Sequence, residues 1–270
     1  MKNFLLSENK NIRTITILSS ILIVTLSYIS IFYFKRFEVI EGLILIIVSY
    51  IISLVIVNFK FKLREIFSLL IFTSIIVFLF FTLNYKYPFI FYNAYASFFI
   101  FILYLILIYS SFLHISIINV LKVELVPLVR FSYTINYIIS IILLYLSFLL
   151  AFSQSNILFK LFYIVFLSFI IISQNLVSLG YDIDDVQFYG IFGAITFLVL
   201  GVLFLIYPVI IYISALSLSL VAYIYIGILL HSRISNLELL NYVEYLFIGI
   251  IIFIVLLILP IWGISGGLFI

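Results

Sequence analysis

Three carboxylates stand close together in a chain that has very few charges. Asp182, Asp184 and Asp185 fall within four positions and make up three of the ten acidic residues in the 270-residue sequence. Hard cations such as Mg²⁺ prefer carboxylate oxygens and often bridge them to the phosphate oxygens of a substrate. The spacing therefore predicts one of two things, a site for a magnesium-bound diphosphate or a solvated turn between two helices.

Polar side chains also precede the acidic residues. Gln174, Asn175 and Ser178 lie in the last two turns of an apolar segment, and Asn175 comes seven residues before Asp182. That spacing places both residues on one helical face if the helix continues. Polar residues inside a membrane span face a cavity or a neighbouring helix. We therefore expect a polar stripe that leads to the carboxylates and serves one of these purposes.

The elements that position these residues are membrane helices. The sequence is 67% hydrophobic and 9% charged, with a mean hydropathy of +1.47, and it repeats apolar runs long enough to cross a bilayer. It contains no cysteine, which excludes disulfides and cysteine-ligated metal centres. We predict an all-α polytopic membrane protein that forms a single transmembrane domain over residues 1–270.

Charged and proline-containing segments divide the chain into nine predicted spans. A short amphipathic helix at the interface is expected at about 234–244, because Ser235 and Glu238 have capping-box spacing. The nine spans are expected at about 14–34, 39–58, 66–83, 97–120, 131–152, 157–179, 187–206, 209–231 and 246–266.

The distribution of basic residues orients the spans. With the N-terminus inside, nine of the thirteen Lys and Arg residues fall on inner segments and four on outer segments. The positive-inside rule thus predicts a cell-membrane protein with a cytoplasmic N-terminus, an external C-terminus and a cytoplasmic acidic stretch. The net charge of +3 is explained by inner loops beside anionic lipid, so no nucleic-acid partner is expected.

The acidic stretch and its position match part of a known pattern. "DIDDVQFYG" follows the sixth predicted span and provides Asp182, Asp184 and Gly190 at positions of the motif Asp-x-Glu-Gly-Asp-x-x-x-Gly. This layout resembles the UbiA-type intramembrane prenyltransferases, which transfer an isoprenyl group from its diphosphate to an aromatic or lipid acceptor. The chain departs from their second motif at Asp185, where the family has Gly, and at Val186, where it has Asp.

The family's first aspartate motif follows the second span, where this chain has "NFKFKLREIF". Asn58 and the Glu65–Ile66 pair match that motif, but Phe59 and Lys62 replace its aspartates. Cations at such a place oppose Mg²⁺ binding and favour direct contact with phosphate. The resemblance implies a UbiA-like bundle around a central cavity, with Mg²⁺ as the cofactor if the site is active. The degraded diphosphate site would then comprise Asn58, Lys60, Lys62, Arg64, Asp182, Asp184 and Asp185, with Asp182 and Asp184 as metal ligands.

The two histidines allow a second interpretation, because paired histidines within spans can ligate haem. His114 lies eight residues before Lys122, roughly 12 Å from the predicted inner boundary at 1.5 Å per residue. His231 lies two residues before Arg233, close to that boundary. The difference in depth favours helix contacts or interfacial positions for these histidines.

Three classes of function therefore remain open. The first is a non-catalytic protein of the prenyltransferase fold, which serves as an accessory subunit of a membrane complex or holds an isoprenoid lipid or quinone. The second is an active Mg²⁺-dependent prenyltransferase, and the third is a haem-binding membrane subunit or transporter. Membrane lipid is an expected partner in each class, and other membrane subunits are expected in the first.

Overall fold

The computed structural model describes residues 2–33, 38–56, 71–116, 126–179, 181–206, 210–234 and 239–258. These ranges are helical apart from short turns, and no strand occurs in them. The helices are α1 (Lys2–Tyr33), α2 (Glu38–Ile56), α3 (Ile71–Lys86), α4 (Pro88–Tyr92), α5 (Ala94–Ser116), α6 (Val126–Phe152), α7 (Ile157–Ser178), α8 (Ile183–Ile206), α9 (Ile211–Ile234) and α10 (Leu239–Ile258).

Six of these helices are long and apolar enough to cross a membrane, which makes the chain a helical membrane protein. They coincide with the first and the fourth to eighth predicted spans. Two shorter apolar helices, Gly42–Val55 and Thr73–Lys86, lie at the second and third. The six are Thr14–Phe32, Ala94–Leu113, Tyr133–Phe152, Ile157–Val177, Asp184–Ile206 and Ile211–Leu230.

The segment that follows α9 differs from the prediction. A separate interfacial helix is predicted at about 234–244. Residues 235–238 of that segment lie outside the described part, and residues 239–244 are the first turns of α10, which continues to Ile258. The capping-box spacing at Ser235 and Glu238 favoured a short helix. The apolar pattern after Leu239 instead extends one helix through both segments, because nothing between them interrupts the helical backbone.

Contacts divide the chain into two compact units, Met1–Ile139 and Ser140–Ile270, with the boundary inside α6. In the first unit α1, α2, α3 and α5 pack together. Their interfaces contain buried hydroxyls, since small hydroxylated residues let apolar helices approach closely and bond to each other. The Thr73 hydroxyl shares hydrogen bonds with Ser53 at 3.3 Å and Ser111 at 3.0 Å, which joins α2, α3 and α5.

Asn93 separates α4 from α5 in the same unit. Pro88 occupies the first turn of α4, where its missing N–H costs nothing. The Asn93 Oδ1 atom accepts hydrogen bonds from the backbone N–H groups of Tyr95 and Ala96, at 3.1 and 3.2 Å. Asn93 is therefore the N-cap of α5, and it converts the lead-in "PFIFYNAY" into a short helix followed by a span.

Glycines set the distance between helices in the second unit. A Cβ atom added at Gly193 would lie 2.6 Å from Ile172 Cδ1 and 2.9 Å from the Tyr225 ring. One added at Gly201 would lie 2.8 Å from Ile164 Cδ1. The α8 backbone thus lies directly against side chains of α7 and α9, which only residues without a side chain permit.

Candidate functional site

The acidic residues mark the start of α8. Asp182 immediately precedes the first helical residue, and its carbonyl oxygen accepts from the Val186 N–H at 2.8 Å. Asp184 and Asp185 lie in the first helical turn, where the unpaired N–H groups of the helix favour negative charge. All three side chains are exposed. The start of the helix therefore offers a favourable position to the two carboxylates of its first turn.

The junction before α8 changes one expectation about the polar stripe. Helix α7 ends at Ser178 and α8 begins at Ile183, so Asn175 and Asp182 do not share the face of one continuous helix. The predicted alignment depends on a helix that continues through this segment, and that condition is not met. The seventh span also begins earlier than 187, and it includes Asp184 and Asp185.

The carboxylates do not form a metal centre by themselves. Among the described residues, no group of three His, Asp or Glu side chains lies close enough to hold a metal ion. Mg²⁺ binding through protein ligands needs converging oxygens at nearly octahedral geometry. Among the described residues, Asp182, Asp184 and Asp185 do not provide such a set of ligands.

Two residues of "DIDDVQFYG" that align with the prenyltransferase motif pack inside the protein. Val186 stands where the motif has its last aspartate, and its side chain is buried. Gly190 stands at the closing glycine, and a Cβ atom there would lie 2.7 Å from the Ser173 hydroxyl oxygen and 3.1 Å from the Phe169 ring. This part of α8 is therefore held tightly against α7.

The polar residues of α7 lie inside the second unit. Gln174 and Asn175 are buried, while the side chain of Ser178 lies outside the described part. The Asn175 amide donates to the Ser140 hydroxyl at 2.7 Å and to the Ile171 carbonyl at 2.8 Å. The sequence predicts that these polar residues face either a cavity or a neighbouring helix. The bond from Asn175 to Ser140 joins two helices, as the second of these predictions requires.

The other predicted site residues have side chains outside the described part of the chain. Asn58, Lys60, Lys62 and Arg64 lie wholly outside it. His114 falls on α5 and His231 on α9, but only their backbone positions are described.

A groove in the first unit could hold a lipid chain. It lies between α2 and α3 and has a volume of about 190 Å³. That is smaller than a typical cofactor pocket of roughly 300–1,000 Å³, so it suits a segment of a flexible tail. Its lining is mostly apolar and aromatic: Gly42, Leu43, Ile46, Phe78, Phe81, Thr82 and Tyr85. No sequence pattern predicts this groove, because its residues are of the same types as those of an ordinary lipid-facing surface.

Sequence reasoning also missed a carboxylate on α10. Glu244 is exposed, and the Tyr223 hydroxyl of α9 donates to its Oε1 atom at 3.0 Å. Glu244 lies within the predicted interfacial helix, where an acidic side chain does not indicate a functional site. The continuous apolar period from Val243 through Phe247, Ile250 and Ile254 is the signal that places Glu244 on a longer helix.

These features define a helical membrane protein whose buried polar groups join helices. The carboxylates whose side chains the structure describes lie at the start of α8 and on α10. No protein-family model, no curated protein and no solved structure matches the chain.

Proposed function

We propose that the chain is a non-catalytic integral membrane protein of the prenyltransferase fold, which acts as an accessory subunit of a membrane complex. The observation that carries the proposal is the geometry at "DIDDVQFYG". The exposed Asp182, Asp184 and Asp185 begin α8, and they do not converge on a metal position. Catalysis of prenyl transfer depends on stabilising the charge of the leaving diphosphate, so carboxylates that do not converge support a non-catalytic role.

Packing around the same segment supports the proposal. Buried Val186 occupies the position of a motif aspartate, and Gly190 leaves no room between α8 and the Ser173 and Phe169 side chains. The Asn175 amide is engaged by Ser140 and Ile171 rather than directed at a substrate. These residues act as helix contacts, which is the role expected of a subunit that keeps the bundle and has lost the chemistry.

The membrane orientation belongs to the same proposal. We propose nine spans with a cytoplasmic N-terminus and an external C-terminus. Eight described apolar helices support the positions of eight spans, and the excess of Lys and Arg on the inner segments supports the orientation. A reporter fused at each terminus, with protease access measured from either side of a sealed vesicle, tests this arrangement.

A second candidate function is the holding of an isoprenoid lipid or quinone tail. The α2–α3 groove favours it, because its apolar lining and small volume match a segment of a flexible chain. Holding a tail is compatible with a subunit role, since a bound lipid can stabilise an interface between membrane helices.

A turnover assay tests the proposal against an active enzyme. Purified protein with Mg²⁺, a radiolabelled prenyl diphosphate and a set of aromatic and lipid acceptors is expected to yield no transferred label. Co-purification at fixed stoichiometry with other membrane proteins is expected from native membranes. Label transfer that is abolished in Asp182→Ala would establish the active prenyltransferase instead. A Soret band in the absorption spectrum, lost in His114→Ala or His231→Ala, would establish the haem-binding alternative.

A further inference from the structure

Two breaks in the helical backbone enclose α4 of the first unit. The chain leaves the helical conformation at Tyr87, between α3 and α4, and again at Asn93, between α4 and α5. Asn93 and the next residue, Ala94, are exposed. Irregular backbone that faces lipid does not occur in the hydrocarbon layer, because its polar groups find no partner there. The exposed break at Asn93 therefore argues against a position of this segment inside the hydrocarbon layer.

The exposed side chains of the same segment argue against bulk water as their surroundings. Four aromatic residues, which we call the α4 aromatic patch, are more than half exposed: Tyr85 at 77%, Phe89 at 68%, Tyr92 at 54% and Tyr95 at 84%. A group of large exposed rings is unfavourable in water. Rings with a polar tip, as in tyrosine, are enriched where the acyl chains of a bilayer meet its head groups. The patch therefore fits that boundary.

A third helix, α1, ends at the level of the patch. The Phe32 ring lies 6.3 Å from the Tyr92 ring, centroid to centroid, and Phe32 is the residue before the last of α1. The Tyr28 hydroxyl of α1 also donates to the Ser97 carbonyl near the start of α5, at 2.9 Å. The ends of membrane helices mark the membrane boundary, because the thickness of the hydrocarbon layer fixes the length of each span.

Charged residues occur at the same helix ends. Lys86 is exposed in the last turn of α3, and it is the only Lys, Arg, Asp or Glu in residues 71–116. Charged groups favour water or lipid head groups over acyl chains, so Lys86 agrees with a boundary position for the patch. Four further charged residues lie between the end of α1 and the first turn of α2, with their side chains outside the described part: Lys35, Arg36, Glu38 and Glu41.

We propose that the α4 aromatic patch binds the head-group layer of the lipid bilayer and thereby fixes the depth of the first unit. The partner is the region of a phospholipid where the acyl chains join the head group, since this layer accepts both exposed rings and exposed irregular backbone. The inference goes beyond the accessory role and does not depend on it, because the presence or absence of prenyl transfer leaves the position of the patch unchanged.

Depth-dependent fluorescence quenching tests the position of the patch. Trp262 is the only tryptophan of the chain, so Trp262→Phe provides a background for single tryptophans. Phe89→Trp and Tyr95→Trp place a reporter in the patch. Ile106→Trp is the matched control, at an exposed position of α5 roughly 16 Å from Tyr95 at 1.5 Å per residue. Each full-length variant is reconstituted in phosphatidylcholine vesicles that carry a nitroxide on the head group or near the methyl end of an acyl chain.

The order of quenching decides the result. We expect the head-group nitroxide to quench Phe89→Trp and Tyr95→Trp more strongly than the chain-end nitroxide, and Ile106→Trp to show the reverse order. Stronger quenching of both patch reporters by the chain-end nitroxide overturns the proposal, because it places the patch in the hydrocarbon layer. Quenching by aqueous iodide alone also overturns it, since the patch then lies in water. Protection from all three quenchers overturns it as well, because protein then covers the patch.

Two pairs of substitutions test whether the rings fix the depth. In the Tyr95→Trp reporter, Tyr85→Ser with Phe89→Ser removes two rings, and we expect weaker quenching by the head-group nitroxide and stronger quenching by iodide. The control pair, Tyr85→Phe with Phe89→Tyr, keeps both rings and is expected to retain the original quenching. Equal quenching in the two pairs would show that the rings do not hold the segment at this depth. The same change in both pairs would assign the effect to local packing, which also overturns the proposal.

Discussion

The side-chain amide of Asn175 on α7 donates to the hydroxyl of Ser140 on α6 across 2.7 Å, with both residues buried. The same amide donates to the Ile171 carbonyl within its own helix. Apolar attraction between helices is weak in a bilayer, because lipid tails are as apolar as Leu or Ile side chains. Polar contacts and close packing must therefore specify how the helices of this unit meet.

Removing the Ser140 hydroxyl is expected to destabilise the second unit. Ser140→Ala leaves the Asn175 amide without this acceptor, and interhelical hydrogen bonds in membranes contribute about 0.6–2 kcal/mol. We expect a loss of free energy of unfolding of about 1 kcal/mol, measured by denaturation of the purified protein in mixed detergent micelles.

Ser168→Ala is the matched control. Among the described residues, the buried Ser168 hydroxyl has no hydrogen-bond partner. Its removal is expected to leave stability unchanged or slightly increased, since an unsatisfied buried polar group is a cost. Equal losses in the two variants would show that the Asn175–Ser140 bond does not stabilise the unit.

Two glycines of α8 should respond differently to the same small substitution. A Cβ at Gly193 meets the Tyr225 ring at 2.9 Å, and the Tyr225 hydroxyl is held by a 2.6 Å bond to the Tyr189 carbonyl. Gly193→Ala is expected to cost about 1–3 kcal/mol, as overpacking does. At Gly201 the obstacle is the terminal Cδ1 of Ile164, which another rotamer removes, so Gly201→Ala is expected to cost far less. Thermal denaturation of both variants in one detergent measures the difference.

The sequence alone predicts the helical class of the protein and the positions of most of the described apolar helices. Long apolar runs separated by charges identify spans whatever their tertiary contacts, because the bilayer fixes their length. Asn156 illustrates a local signal of this kind. It ends the "SQSN" turn, and its side chain accepts from the Leu158 N–H at 2.8 Å to cap α7.

The candidate site is harder to predict from the sequence than the helices are. The predicted seventh span begins after Asp184 and Asp185, because charged residues that follow an apolar helix usually indicate a loop. The first turn of a helix also favours acids, and one sequence does not distinguish the two. The Tyr223–Glu244 contact depends on how α9 and α10 align, which no local pattern encodes.

The cap at the start of α5 gives a further prediction. Asn93→Ala removes the acceptor for the N–H groups of Tyr95 and Ala96, and loss of an N-cap costs about 1 kcal/mol. Asn93→Asp keeps an acceptor in place and is expected to retain most of the stability. Amide hydrogen exchange at Tyr95 and Ala96 should accelerate in the alanine variant alone. Acceleration in both variants would assign the effect to the turn rather than to the cap.

Filling the α2–α3 groove should reduce lipid retention if the groove holds an isoprenoid tail. Ile46 lines the groove, so Ile46→Trp would occupy part of its volume of about 190 Å³. The matched control is Val55→Trp, on an exposed position of the same helix that does not line the groove. Protein purified after incubation with a radiolabelled polyprenol or ubiquinone is expected to retain label in wild type and Val55→Trp, with a several-fold loss in Ile46→Trp. Label retained equally by all three proteins would show that the tail binds elsewhere, whereas no retention in wild type would remove the lipid-holding function.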